Sequence, residues 1–386
     1  MQPTRFSESE IAAMRRALEL ARRGEGRVEP NPMVGAVVLA ADGGVAGEGW
    51  HDRFGGPHAE VAALAAAGGR ARGATLVVTL EPCCHHGKTP PCTDAIIAAG
   101  VARVIVAAGD PFPAVSGGGV ARLRAAGLSV ATGLLEADAL RLTAPYRKLL
   151  ATGTPWVIAK WAATRDGRVA LPPGGDRWIS SPESRALVHA LRARVDAIAV
   201  GSGTALADDP LLTARPEPGS RGADDPRPLL RIVLDGRCRL PPTSGLVRTA
   251  RESPVLVAVG ATAPPDRVAA LEAAGCEVWR TTGAEPAARF RDLLVELGRR
   301  RLTNLLVEGG PAVFRTLFAA DLVDELWQFT APRVCGGPSD PATTMPPPPP
   351  CDVEAVAHPG GDTLTRGLVR RTRQAADVRA SSAGRG

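Results

Sequence analysis

The stretch that decides the fold runs from His58-Ala59-Glu60 through Thr75-Leu76-Val77-Val78-Thr79-Leu80 to Glu81-Pro82-Cys83-Cys84-His85-His86-Gly87-Lys88-Thr89-Pro90-Pro91-Cys92. The apolar, β-branched run 75–80 predicts a buried strand, with Cys83 where the strand ends and the next helix begins. His58, Cys83 and Cys92 together make a soft three-coordinate protein site for zinc, leaving a fourth position open for water. Glu60, two residues after the histidine, is placed to move protons for that water without binding the metal. A structural site would instead close with a fourth ligand, and Cys84, His85 and His86 are at hand for that. Several spaced residues agree on the open, catalytic site.

Composition bounds the alternatives. A chain of 386 residues, 45% hydrophobic and 22% charged, has room for two or three soluble domains, each with its own core. Seven cysteines, an odd number spread from Cys83 to Cys351, argue against a disulfide framework and for a reducing, cytoplasmic setting. No apolar run approaches the roughly 20 residues a membrane span needs. Ser7-Glu8-Ser9-Glu10 reads as a capping box that opens an amphipathic helix, not as a signal peptide. The net charge of +6 and the short basic runs 299–301 and 370–371 are read as solvated helix faces and strand ends. Aromatics do not interleave them, so no nucleic acid or membrane partner is expected.

Strands are expected at 34–40, 45–50, 75–80, 103–108 and 128–132, with helices at 7–23, from 58, at 93–99 and at 119–126. Such alternation predicts a layered α/β domain over residues 1–150, its ligands at the carboxyl edge of the sheet. Ala151-Thr152-Gly153-Thr154-Pro155 reads as a linker. A second α/β domain follows over 151–375. It has strands at 156–162, 196–201, 231–235, 255–260, 276–281, 304–308 and 324–330 and helices at 182–194, 265–274, 285–300 and 311–320. Residues 376–386 read as a frayed tail. Leu306-Val307-Glu308-Gly309-Gly310-Pro311 and Gly201-Ser202-Gly203-Thr204 each end a strand. Taken alone, either is as compatible with a tight turn as with a phosphate site.

The His-x-Glu and Pro-Cys pattern is that of zinc nucleobase deaminases. Many of these separate their cysteines by two residues, whereas Cys84 to Pro91 intervene here. The segments 57–61, 79–83 and 87–92, with Pro30-Asn31-Pro32-Met33-Val34-Gly35-Ala36-Val37 upstream, resemble the bifunctional riboflavin-biosynthesis pyrimidine deaminase/reductase family. Gly201-Ser202-Gly203-Thr204 through Asp208-Asp209-Pro210 is similar to that family too. The resemblance covers about residues 10 to 372. It implies a cytidine-deaminase-like α/β/α sandwich followed by a dihydrofolate-reductase-like α/β domain, using zinc and NADPH on a small phosphoribosyl pyrimidine. Homo-oligomerisation is expected. A relative acting on a modified pyrimidine and a nucleic-acid deaminase are the competing readings.

The resemblance also implies residue roles. Asn31 and His51 would hold the pyrimidine and Lys88 the substrate phosphate. Ala162, Trp178, Thr204, Asp208 and Gly310 correspond to cofactor positions, and Lys160, Asp176, Arg192, Leu212, Arg215 and Glu308 to substrate positions. Lys160 and Glu308 would flank the reacting carbon, while Arg192 and Arg215 suit the ribose-phosphate end. Arg237 or Arg239, just after strand 231–235, is expected to meet the cofactor's 2′-phosphate. Three positions depart from the family: Phe112 and Thr143 replace asparagines, and Asp176 replaces a serine. They touch substrate detail and not the zinc site.

Overall fold

The computed structural model describes residues 6–87, 90–171, 178–216, 228–336 and 340–370. Lys88, Asp176 and the tail 376–386 lie outside the described residues. The chain divides into two compact units, Met1–Gly153 and Thr154–Gly386. Among the described residues no helix is long and apolar enough to cross a membrane.

In the first unit Ser7 caps α1 (Glu8–Ala21). Its hydroxyl accepts from the Glu10 N–H, and the Glu10 carboxylate accepts from the Ser7 N–H at 2.8 Å, which is the expected capping box. There follow β1 (Gly35–Leu39), β2 (Val45–Trp50), α2 (Ala59–Ala67), β3 (Thr75–Leu80), α3 (Cys92–Ala98), β4 (Arg103–Ala108), α4 (Gly118–Ala125), β5 (Ser129–Thr132), α5 (Glu136–Leu142) and α6 (Ala144–Thr152). The sheet order is β2-β1-β3-β4-β5, with β1 antiparallel to both neighbours and β3, β4 and β5 parallel.

Strand side chains alternate between faces. Val37, Leu39, Val77 and Ile105 pack against residues of α1 and α5. Ala36, Val38, Leu76, Val78 and Val104 pack against α2, Ile96 of α3 and Leu123 of α4. Burial on both faces is why 75–80 and 103–108 read as continuous apolar runs.

The second unit comprises β6 (Trp156–Thr164), α7 (Pro182–Arg192), β7 (Ala197–Gly201), α8 (Ser202–Asp208), β8 (Leu230–Leu234), α9 (Gly245–Arg248), β9 (Val255–Val259), α10 (Pro265–Ala273), β10 (Glu277–Arg280), α11 (Pro286–Arg299), β11 (Asn304–Val307), α12 (Pro311–Ala319), β12 (Glu325–Ala331), β13 (Cys351–Ala357) and β14 (Thr363–Val369). They build a nine-stranded sheet in the order β10-β9-β8-β7-β11-β6-β12-β14-β13. The strands from β10 to β12 run parallel, so the ends of β7, β8, β9 and β11 share one carboxyl edge. Phe290, Leu293, Leu294 and Leu297 of α11 and Phe314 and Leu317 of α12 cover one face. Val188 and Leu191 of α7 and Val268 and Leu271 of α10 cover the other.

The sheet does not stop at residue 330 as the sequence suggested: β14 and β13 extend it antiparallel beyond β12. β13 is an edge strand exposed along nearly all its length, so it lacks the buried alternation that reveals a strand. Helix α7 ends at Arg192, two residues short of expectation. The basic run 299–301 is solvated helix end, with Arg299 and Arg300 paired to Glu296.

Candidate active sites

His58 is the N-cap of α2 and offers no side-chain cap to the helix, which leaves its ring free for other work. That position puts Glu60 in the first helical turn, where it is buried. Cys83 follows β3, and Cys92 opens α3. His58 Nδ1 lies 3.1 Å from Cys92 Sγ and 3.6 Å from Cys83 Sγ, and the Cys92 N–H donates to Cys83 Sγ at 3.3 Å. All three ligand atoms fall within 4.8 Å of one another. Tetrahedral zinc with bonds of about 2.0–2.3 Å holds its ligands roughly 3.5–3.8 Å apart, so this donor set fits the ion. A hydrogen bond between the two thiols, with help from His58 on Cys83, pulls Cys83 down to about 4 and pushes Cys92 up, so the pair shares one proton that a bound metal would displace. Cys84 faces away, its thiol 3.5 Å from the Ala114 carbonyl.

Asn31 and His51 come together beside this group. The His51 ring sits edge-on to His58 at 5.4 Å between centroids. Its Nδ1 lies 3.0 Å from the Pro57 carbonyl, a contact only an N–H can make favourably, so Nε2 is left to accept from Asn31 Nδ2 at 3.2 Å. Burial lowers the His51 pKa and keeps the ring neutral. Glu81 was not singled out from sequence, yet its carboxylate accepts from the Gly117 and Val120 N–H groups, each at 3.0 Å. It thereby ties the start of α4 to the turn that carries Cys83. Only a carboxylate just before the Pro-Cys pair could have signalled this. Phe112, the departure from asparagine, packs on His85 with centroids 5.6 Å apart. Thr143 is buried, its hydroxyl donating to the Ala139 carbonyl.

In the second unit, β11 pairs with β6 so that Glu308, one residue past the strand, comes beside Lys160. Lys160 Nζ is 3.5 Å from Glu308 Oε2. Arg192, the last residue of α7, donates to the same carboxylate from Nε at 2.7 Å and Nη2 at 3.0 Å. Its Nη1 reaches the Thr213 carbonyl at 3.3 Å, so every guanidinium nitrogen is engaged. Burial alone would raise Glu308, but Lys160 and Arg192 outweigh it and hold the carboxyl at about 2. Burial lowers Lys160 from its ordinary value despite that partner.

Gly310 is the N-cap of α12 and supplies no side-chain cap. Thr204 Oγ1 lies 3.4 Å from where a Gly310 Cβ would sit, and nothing lies within 4 Å of a Cβ built on Gly203. An uncapped helix start beside open space is a fit for a dinucleotide phosphate. Asp208 ends α8 and is exposed; Ala162, on β6, is half-buried opposite Phe329. Leu212 is buried with φ of 54°, and Arg215 is exposed three residues on. Trp178 is half-exposed under the Arg185 guanidinium. Arg237 is exposed, while Arg239 Nη2 donates to Ser202 Oγ at 2.6 Å.

The family described as RibD C-terminal domain matches residues 155–353. The cytidine and deoxycytidylate deaminase zinc-binding region matches residues 7–108. The Riboflavin biosynthesis protein RibD of Escherichia coli (strain K12) is 41% identical over 342 residues, covering 86% of this chain and 90% of the relative. The chain belongs to the RibD family. The RibD of Aquifex aeolicus is 39% identical over 84% of this chain and 87% of its own. Among solved structures, Acinetobacter baumannii RibD superposes with a TM-score of 0.80 at 31% identity, covering 94% of this chain and 99% of that one. A Thermotoga maritima RibD relative, described as a diaminohydroxyphosphoribosylaminopyrimidine deaminase/5-amino-6-(5-phosphoribosylamino)uracil reductase, gives 0.79 at 35% identity over 94% of this chain and 99% of its own.

Proposed function

We propose that the chain catalyses two consecutive steps of riboflavin biosynthesis. The first is hydrolytic deamination of 2,5-diamino-6-(5-phosphoribosylamino)pyrimidin-4-one, assigned to residues 1–150. The second is NADPH-dependent reduction of the ribosyl side chain to ribityl, assigned to 151–375. The observation that carries this is the presence, in one RibD-family chain, of both a His/Cys/Cys group with a buried Glu60 beside it and a nearly buried Lys–Glu–Arg group.

In the first step His58, Cys83 and Cys92 would hold zinc, and the ion would supply a water acidified toward neutral pH. Glu60 would take one water proton and pass it to the ring nitrogen as the oxygen bonds to the amine-bearing carbon. It would then carry the second proton from that oxygen to the amine, so that the C–N bond breaks, a carbonyl forms and ammonia leaves. His51, kept neutral by burial, takes the Asn31 amide N–H on Nε2 and so turns the Asn31 carbonyl toward the pyrimidine. Lys88 would meet the phosphate.

In the second step NADPH supplies the hydride. The sugar oxygen released when the anomeric carbon is reduced needs a proton, and Lys160 is the buried ammonium placed to donate it. Glu308 orients Lys160, and Arg192 holds Glu308. Arg192 spends three of its five N–H donors on Glu308 and the Thr213 carbonyl, so one on each Nη is left to share the phosphate end of the sugar with Arg215. The seven free thiols suit a reducing compartment, which supports a cytoplasmic location.

Supplying zinc-loaded protein with the phosphoribosyl pyrimidine tests the whole reading. Ammonia should appear without NADPH, and NADPH oxidation should follow only once the substrate is deaminated. Ammonia release with no NADPH oxidation would refute the second half; absence of both would refute the proposal.

A further inference from the structure

One charge in the core of the second unit has no packing reason to be there. Arg231 has no exposed surface, and it lies between Leu229 and Val233 on a face of the sheet that is otherwise apolar. Among the described residues no carboxylate pairs with it, and its Nε has no partner. A buried cation without an anion is costly, and a methionine would fill similar space without the desolvation. What Arg231 touches is mostly backbone. Its Nη1 donates to the Leu211 carbonyl at 2.9 Å and to Thr249 Oγ1 at 2.8 Å. Its Nη2 donates to the Thr249 carbonyl at 3.0 Å and to the Ser253 carbonyl. The guanidinium therefore ties residue 211 to the segment that follows α9.

Residue 211 belongs to a loop that is bent twice against its own side chains. Asp209, at φ of 41°, and Leu212, at φ of 54°, both sit in the left-handed region, which a leucine keeps only where its surroundings hold it. Asp209 Oδ1 accepts the Gly245 N–H at 2.7 Å, so the loop is fastened to the start of α9 as Arg231 fastens it to the end. On the other side of Leu212, the Thr213 carbonyl accepts from Arg192, which also grips Glu308. Leu212 is thus set between two carbonyls held by two guanidiniums, one rooted in the core and one beside Lys160 and Glu308. Arg215 follows two residues after Thr213, exposed.

We propose that Arg231, together with Asp209, is a positioning residue for the reduction: the pair fixes loop 209–215 so that Leu212 and Arg215 meet the ribose-phosphate side of the substrate. This rests on the second unit being an NADPH reductase of a phosphoribosyl pyrimidine. Arg231 is walled off from any ligand and acts only through the loop. Its effect falls on how tightly the sugar is held, in ground state and transition state alike, and not on the hydride or proton step.

Steady-state kinetics of the full-length, zinc-loaded chain with the deaminated intermediate and NADPH test it. Arg231→Met should raise KM for the intermediate about tenfold and leave kcat and KM for NADPH within about twofold. Ammonia release by the first unit should be unchanged. Arg231→Lys, which still reaches some of the carbonyls, should recover part of the loss. Asp209 is exposed, so Asp209→Ala keeps the fold even where Arg231→Met does not, and it should raise the same KM. Asp209→Asn, which keeps an acceptor and suits the left-handed backbone, should not. A purely structural role would leave less active protein, hence a lower kcat with both KM values unchanged. That result overturns the proposal, and so does an equal rise in the two KM values or wild-type kinetics in Asp209→Ala. A wild type that oxidises no NADPH on the deaminated intermediate sinks the reductase reading, and the positioning role with it.

Discussion

Arg192 and Glu308 meet fork to fork, Nε to Oε1 at 2.7 Å and Nη2 to Oε2 at 3.0 Å, and Lys160 closes on the same carboxylate. All three side chains are nearly buried, so removing the carboxylate leaves two cations facing each other out of water. Glu308→Gln should therefore cost about 3–5 kcal/mol at neutral pH. The pH dependence follows from Glu308 standing at about 2 in the fold against its ordinary 4.5. A depressed carboxylate contributes stability above its unfolded value and loses it as pH falls through the folded one. The wild-type second unit should lose stability between those values, and the glutamine variant should lose less. Trp156, Trp161, Trp178, Trp279 and Trp327 all belong to this unit, so tryptophan fluorescence reports its unfolding. A variant as stable as wild type at pH 7 would show that the pair contributes nothing.

Glu60→Gln should keep fold and zinc but lose deamination by about 10²–10⁴-fold, because an amide cannot carry the proton. Given the deaminated intermediate, the same variant should still oxidise NADPH at the wild-type rate. Near-normal ammonia release would exclude Glu60 as the acid and base.

Cys84 lies next to a ligand in sequence, yet its thiol points to the Ala114 carbonyl. Metal analysis of Cys84→Ser should find one zinc per chain, as in wild type. Cys92→Ser should purify with little or none, since it removes one of three thiolate or imidazole donors. Zinc loss in Cys84→Ser would mean the site closes differently.

Much of this was legible in the residues themselves. His58, Cys83 and Cys92 announce themselves by type, and the doubly buried strands 75–80 and 103–108 by uninterrupted apolar runs. Lys160 and Glu308 were brought together only by the family resemblance, and the clamp of Arg192 on the same carboxylate was not legible at all. The three residues lie far apart in sequence, and only the insertion of β11 between β6 and β7 unites them. β13 escaped notice because an exposed edge strand has no hydrophobic period to read.

The approach of α4 to the zinc loop gives the last prediction. Gly119 is so close to the turn before Cys83 that a Cβ there would stand 2.0 Å from the Pro82 carbonyl oxygen and 3.2 Å from Glu81 Cγ. Glu81 draws the helix in by accepting the Gly117 and Val120 N–H groups, so the contact cannot relax without giving up those bonds. Gly119→Ala should push Pro82, and with it Cys83, off position. Overpacking of this kind costs about 1–3 kcal/mol, which spent on one ligand means roughly a ten- to hundredfold weaker hold on zinc. Gly117→Ala is the control. Its φ is 75°, and nothing lies within 4 Å of its Cβ, so it carries only left-handed backbone strain of about 1–2 kcal/mol. Chelator competition should therefore separate the two, with Gly119→Ala releasing zinc far more readily at comparable loss of overall stability. Equal zinc retention in both variants would mean that the Glu81-to-α4 contact braces the fold and has no part in setting the metal ligand.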